Sequence, residues 1–258
     1  MNKVDIFKKV PEFKFEEKAI KTNPDEFCKV VESRRSVRVY KDEKIPEEIV
    51  KKCLDLTLLA PNSSNLQTWE FYWVRNKIKK EKLIEYCLSQ PAAATAAELI
   101  VCVARPDHWK KNNSMMLQLF DQKKKEKHKG AWQYYNKIVP LAYNQGPFGL
   151  FGLIKKIAIF FRGLSKPTPR GPGSKKEMEV WAQKSTALAC QNLMLSFRAF
   201  GYDSCPMEGM DSLRVKKLLN LPSQAKICMV ISAGKRAPNG VYGKRIRFNK
   251  EEFIKIVK

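Results

Sequence analysis

The stretch EMEVWAQKSTALACQNLMLSFRAFG, residues 177–201, constrains the fold more than any other. From Trp181 to Phe200 its apolar residues fall on nearly every face of a helix, the pattern of a helix buried all round. Gly201 stands where a helix C-cap is expected. Two continuous apolar runs, ELIVCVAR (98–105) and KICMVISAG (226–234), read as buried strands. WEFYWVRN (69–76) adds a strand of aromatic and β-branched residues.

The remaining elements follow from their caps. NPDEFCKVVESRRS (23–36) opens on an Asn23 or Asp25 cap with acids in the first turn. IPEEIVKKCLDLTLLA (45–60) has Pro46 in its first turn, Ile49, Val50, Cys53, Leu54 and Leu58 at helical spacing, and Pro61 as its stop. KIKKEKLIEYCLSQ (77–90) is a third helix, and DSCPMEGMDSLRVKKLLNLP (203–222) a loop followed by a short helix. The tail from Lys235 turns on Gly240 and Gly243 and closes with a basic strand. The order is mixed α and β around a central sheet, with no internal repeat. We expect one domain over 1–258, with 1–23 as an arm and 105–178 as an insertion.

The chain carries 49 Lys and Arg against 26 Asp and Glu, a net charge of +23. Such a surface attracts nucleic acid, anionic lipid or phosphate-bearing small molecules. The lysines are spread along the chain without the spacing of a DNA- or RNA-binding motif, so no specific nucleic-acid partner is expected. Seven cysteines, at 28, 53, 87, 102, 190, 205 and 228, form no CxxC pair, which suits reduced thiols in a cytoplasmic protein. No Cys/His cluster has metal-ligand spacing, and no metal is expected. No apolar run is long enough for a membrane span, and no signal peptide is visible.

Three polar clusters sit at element ends. Arg34, Arg35, Ser36 and Arg38 form the first, Asn62, Ser63, Ser64, Asn65 and Gln67 the second, and Lys244, Arg245 and Arg247 the third. Guanidinium forks and a hydroxyl suit a phosphate. The amide cluster suits a ligand edge with alternating donors and acceptors. Together they suggest a phosphorylated heterocyclic cofactor. His108 and His128 are the only histidines, and there is no GxSxG, HExxH, P-loop or GxGxxG motif. That poverty of acids and bases fits an enzyme whose cofactor carries the chemistry.

RRSVRVYKDEKIPEEIVKKCLDLTLLAPNSSNLQTWEFYWV resembles the opening of the nitroreductase family of FMN-dependent oxidoreductases. ALACQNLMLSFRAFGYDSCPMEGM, ICMVISAGKR and the basic tail match further family blocks in the correct order. The resemblance implies an α+β, three-layer α/β/α fold with a mixed, mainly antiparallel sheet, and an intertwined homodimer with FMN at the interface. Carried over by position, Arg34 and Ser36 with Arg245 and Arg247 hold the FMN phosphate, with Arg35 beside them and Lys244 able to replace Arg245. Arg38 lies near the flavin pyrimidine edge. Pro61, Asn62, Ser63 and Asn65 come from the partner chain, and Gln67 contacts the pyrimidine side. Glu208 and Gly209 position flavin N5, and Gln90 reaches the ribityl chain. Asn62 stands where the family usually has Ser, and Thr68 where it has Pro.

The implied activity is ping-pong hydride transfer from NADH or NADPH to a small organic acceptor, a nitroaromatic, quinone or similar. The rival reading is a basic nucleic-acid or membrane-surface binding protein on the same fold. For the insertion three roles stand side by side. One is a lid over the flavin built from Trp109, Trp132, Tyr134, Tyr135, Phe148 and Phe151. Another is a segment that wraps the dimer, and the last a membrane-surface helix flanked by Lys155, Lys156 and Arg162.

Overall fold

The computed structural model describes residues 17–120 and 129–258. His128 and most of the expected arm lie outside the described residues, and 17–23 run as exposed coil. Helix α1 spans Pro24–Ser33, with Asn23 Oδ1 accepting from the Asp25 and Glu26 amides. Helix α2, Glu47–Thr57, ends four residues before Pro61, with Leu58 as its C-cap. Strand β1 (Trp69–Trp73), α3 (Lys77–Tyr86), a short α4 (Pro91–Ala94) and β2 (Glu98–Ala104) follow. The insertion is helical: α5 (Trp109–Leu119), α6 (Lys129–Gln133), α7 (Val139–Tyr143) and α8 (Leu150–Ser165). Then come α9 (Lys175–Ala199), β3 (Asp203–Met207), α10 (Ser212–Leu218) and β4 (Lys226–Gly234).

The four strands form one sheet in the order β1-β2-β4-β3, every pairing antiparallel. A parallel bridge between Ser36 and Ser204 adds the mixed character at the β3 edge. Strand alternation divides the core in two. Leu99, Val101, Val103 and Val230 face Leu83, Ala92, Ala93 and Val215 of α3, α4 and α10. Ile100, Cys102 and Ile231 face Val50 and Cys53 of α2 and Cys190, Leu193 and Phe197 of α9. The result is the expected three-layer sandwich.

Three expectations change. Helix α9 buries one broad face but leaves Val180, Leu188 and Phe200 exposed, so a single chain does not cover it all round. DSCPM is a strand rather than a loop. Pro206 obscured it, yet the Ser204 carbonyl accepts from Val37 N on the outer side of β3, so Pro206 turns its missing N–H to the same open edge and no ladder bond is lost. The tail forms no closing strand. It runs irregularly to a turn at Lys250–Glu252, where Phe248 and Phe253 touch each other but they, Ile246 and Ile254 stay largely exposed.

Candidate functional site

The first and third polar clusters converge. Arg34, Arg35, Ser36 and Arg38 line one cleft of ≈ 260 Å³ together with Tyr242, Lys244, Arg245 and Arg247. The tail is tied down by backbone carbonyls. Arg245 Nη2 donates to Glu32 O (2.5 Å) and Arg34 O (2.6 Å), and Arg35 Nη2 donates to Gly243 O (2.6 Å). The Arg38 guanidinium lies 5.4 Å from the centre of the Tyr242 ring. Among the described residues no carboxylate pairs with any of these cations. Burial, and then the neighbouring Arg245 and Arg247, push Arg34 below the usual arginine range. The cleft is an uncompensated cationic site whose repulsion an anion relieves.

The second cluster is a strained loop. Ser64, Asn65 and Gln67 all hold left-handed backbone, at φ 56°, 48° and 46°. Asn62 Oδ1 accepts from Gln67 N (2.8 Å), and Asn112 Nδ2 donates to Leu66 O (2.7 Å). The insertion clamps the loop from above. Ser64 Oγ meets Tyr134 OH at 2.6 Å and Tyr143 OH at 2.8 Å, Ser63 Oγ meets Tyr143 OH at 3.1 Å, and Tyr135 OH donates to Ser64 O (3.1 Å). These tyrosine hydroxyls are thus committed to the loop of their own chain. Pro61 is exposed beside it.

Glu208 and Gly209 follow directly on β3 and are exposed. Gln90 Nε2 donates to Gly209 O (3.0 Å) and Cys87 O (2.9 Å), which fixes the turn. Among the described residues the Gly209 N–H has no acceptor, and an added side chain there would meet only Gln90, at 3.9 Å.

Sheet register separates these parts. Ser204 aligns through Ala233 with Glu98, at the end of the sheet opposite Trp69, and β3 and β1 are the two outer strands. At ~4.8 Å between strands and ~3.4 Å per residue, the arginine cleft and the Asn62–Gln67 loop lie roughly 14 Å apart across the sheet and 20 Å along it. Gly209, in contrast, lies about 17 Å from Ser204 along the same edge.

Sequence reading missed three features. Tyr242 caps the cleft, and only its place beside Lys244 hinted at it. The loop clamp of Tyr134 and Tyr143 had no local signal. Buried Arg105 donates to Glu70 Oε2 (2.5 Å) and Asp107 Oδ2 (2.7 Å), with His108 Nδ1 3.8 Å from Glu70. Burial and then Arg105 hold His108 below the usual histidine range. A cavity of ≈ 570 Å³ in the insertion, lined by Trp109, Tyr143, Gln145 and Phe151 among others, includes none of the expected cofactor residues. The described residues hold no cluster able to bind a metal ion.

The three-layer antiparallel sandwich with a cationic cleft along one sheet edge is an α+β architecture of a recognisable kind. The profile of the nitroreductase family matches residues 31–235, and the chain belongs to that family of oxidoreductases. Protein DrgA of Synechocystis sp. is 29% identical over 213 residues, covering 82% of this chain and 84% of DrgA. A protein of Thermus thermophilus named NADH dehydrogenase is 26% identical over 215 residues, covering 83% and 88%. A nitroreductase-type protein of Exiguobacterium sibiricum solved in complex with FMN shares the fold, with a TM-score of 0.66 at 19% identity, over 93% of this chain and 99% of that one.

Proposed function

We propose that this chain is an FMN-dependent NAD(P)H oxidoreductase of the cytoplasm, acting by a ping-pong mechanism on a small organic acceptor such as a nitroaromatic or quinone. The observation that carries the reading is the uncompensated cleft of Arg34, Arg38, Arg245 and Arg247 at one end of the open β3 edge, with the free Gly209 amide at the other. That chemistry fits FMN. A phosphate answers the guanidiniums, and the span along the edge suits a ribityl arm followed by a flat ring. FMN, when bound, supplies the two-electron hydride chemistry between nicotinamide and acceptor.

The chain's own groups do the positioning. Arg34, Ser36, Lys244, Arg245 and Arg247 bind the phosphate, with Arg35 holding the tail that carries three of them. Arg38 places positive charge at the pyrimidine edge, where reduction builds negative charge. Gly209 N–H is offered to the ring near N5, steadied through Gln90, and Glu208 flanks it. The Asn62–Gln67 loop lies too far from the cleft of its own chain to complete the same site. We assign Pro61, Asn62, Ser63, Asn65 and Gln67 to the site of a second copy in a homodimer, reached across the exposed face of α9. The chain acts as a single domain, with the first half of its insertion bracing the loop rather than forming a lid. The small, open cleft suits a phosphate monoester better than a nucleic-acid duplex.

The test is the visible spectrum of the purified protein, with added FMN if it is colourless. Flavin bands bleached by NADH or NADPH are expected. A protein that retains no FMN, even at excess, overturns the assignment.

A further inference from the structure

Helix α8, Leu150–Ser165, presents an apolar stripe that no described residue covers. Leu153, Ile154, Ile157, Phe160, Phe161 and Leu164 follow one another at helical spacing, each more than half exposed. The helix rests on its other side. Gly152 is buried against the Gly173 carbonyl, and Gly163 lies against the Arg170 guanidinium. Ahead of the helix, Phe148 is fully exposed on left-handed backbone, φ 50°. An apolar side chain held at once in strained geometry and in water calls for a partner.

Charge says which partner. Between Glu126 and Glu177 the chain has no Asp or Glu, while ten Lys and Arg fall in that interval. Lys156 is paired with Glu177 at 2.6 Å, but Arg162, Lys166 and Arg170 have no carboxylate partner among the described residues. Two copies packing α8 on α8 would bring two basic, acid-free segments together. An anionic lipid surface offers negative charge to the flanking cations and hydrocarbon to the stripe. At 16 residues α8 is about 24 Å long, short of the roughly 30 Å hydrocarbon core. No described helix is long and apolar enough to cross a membrane. The geometry is that of a helix lying in the interface.

We propose that α8 docks the protein on an anionic phospholipid bilayer. The test is flotation of the full chain with vesicles of phosphatidylglycerol and phosphatidylcholine, and with pure phosphatidylcholine, at low and high salt. Binding to the anionic vesicles is expected, about tenfold or more weaker on the neutral ones and weakened by salt. Ile157→Glu with Phe161→Glu should abolish it while leaving the thermal melt and the sedimentation profile unchanged. Arg162→Glu with Lys166→Glu should weaken it by roughly fivefold or more per cation. No flotation at low salt overturns the proposal, and so does undiminished flotation of the Glu variant. An oligomer that falls apart in that variant, with no flotation of the parent, assigns the stripe to a second copy instead.

Discussion

Arg34 illustrates how a residue declares a ligand: it is half-buried, faces Arg245 and Arg247, and meets no carboxylate. Charge-assisted hydrogen bonds contribute about 1.5–3 kcal/mol each. Arg34→Ala or Arg247→Ala should therefore weaken FMN by about 10- to 100-fold, read by fluorescence titration of the apoprotein. A second residue-scale prediction concerns acid. Burial alone would raise the Asp107 carboxyl, but the hydrogen bonds and charge of Arg105 outweigh it and hold it below its usual value. Asp107 therefore stabilises the fold above the ordinary carboxylate pKa of about 4, and that contribution fades as pH drops through its lowered value. His108, held low, adds a loss that begins below about 6.5, where the unfolded chain takes up the proton first. Melting temperature should fall on acidification in these two stages. Asp107→Asn should flatten the lower one and His108→Gln the upper. That the clusters around Arg34 and Arg245 belong together was expected from the family resemblance, and they do line one cleft. The place of Arg105 was not legible, because Glu70 meets it only once β1 and β2 pair, and the local Asp107 alone gives no signal.

At the scale of elements, the Asn62–Gln67 loop trades stability for shape. Gln67 at φ 46° is strained for any residue with a side chain. Gln67→Gly relieves a left-handed penalty of about 1–2 kcal/mol against about 0.4–1 kcal/mol of added unfolded-chain entropy, so stability should rise slightly while FMN affinity falls, a pairing that calorimetry and FMN titration check together. Tyr143→Phe strips a hydroxyl that both Ser63 and Ser64 use. It should cost about 1 kcal/mol, seen as a lower melting temperature, with Tyr134 still holding Ser64. Strands β1, β2 and β4 could be read from their apolar runs. Strand β3 could not, because a proline is compatible with a strand only at an edge, and edge position is a property of the finished sheet. The tail misled for a related reason. Its alternating basic and apolar residues have strand character, but among the described residues it pairs with neither outer strand of its own chain.

Across the whole molecule, the exposed face of α9 shows what the sequence expected and one chain does not supply. A helix apolar on most sides was legible; that part of its cover must come from elsewhere was visible only once Val180 and Leu188 were seen in solvent. Leu188→Asp should give a monomer by sedimentation, and the monomer should lose FMN although every arginine of the cleft is intact. The separation of the arginine cleft from the Asn62–Gln67 loop has a genetic counterpart. One chain defective only in the cleft and another defective only in the loop should each be inactive alone. Co-expressed, they should assemble hybrids in which one site inherits both lesions and its twin inherits neither. Random pairing would then restore roughly a quarter of the sites, so two dead alleles should complement each other.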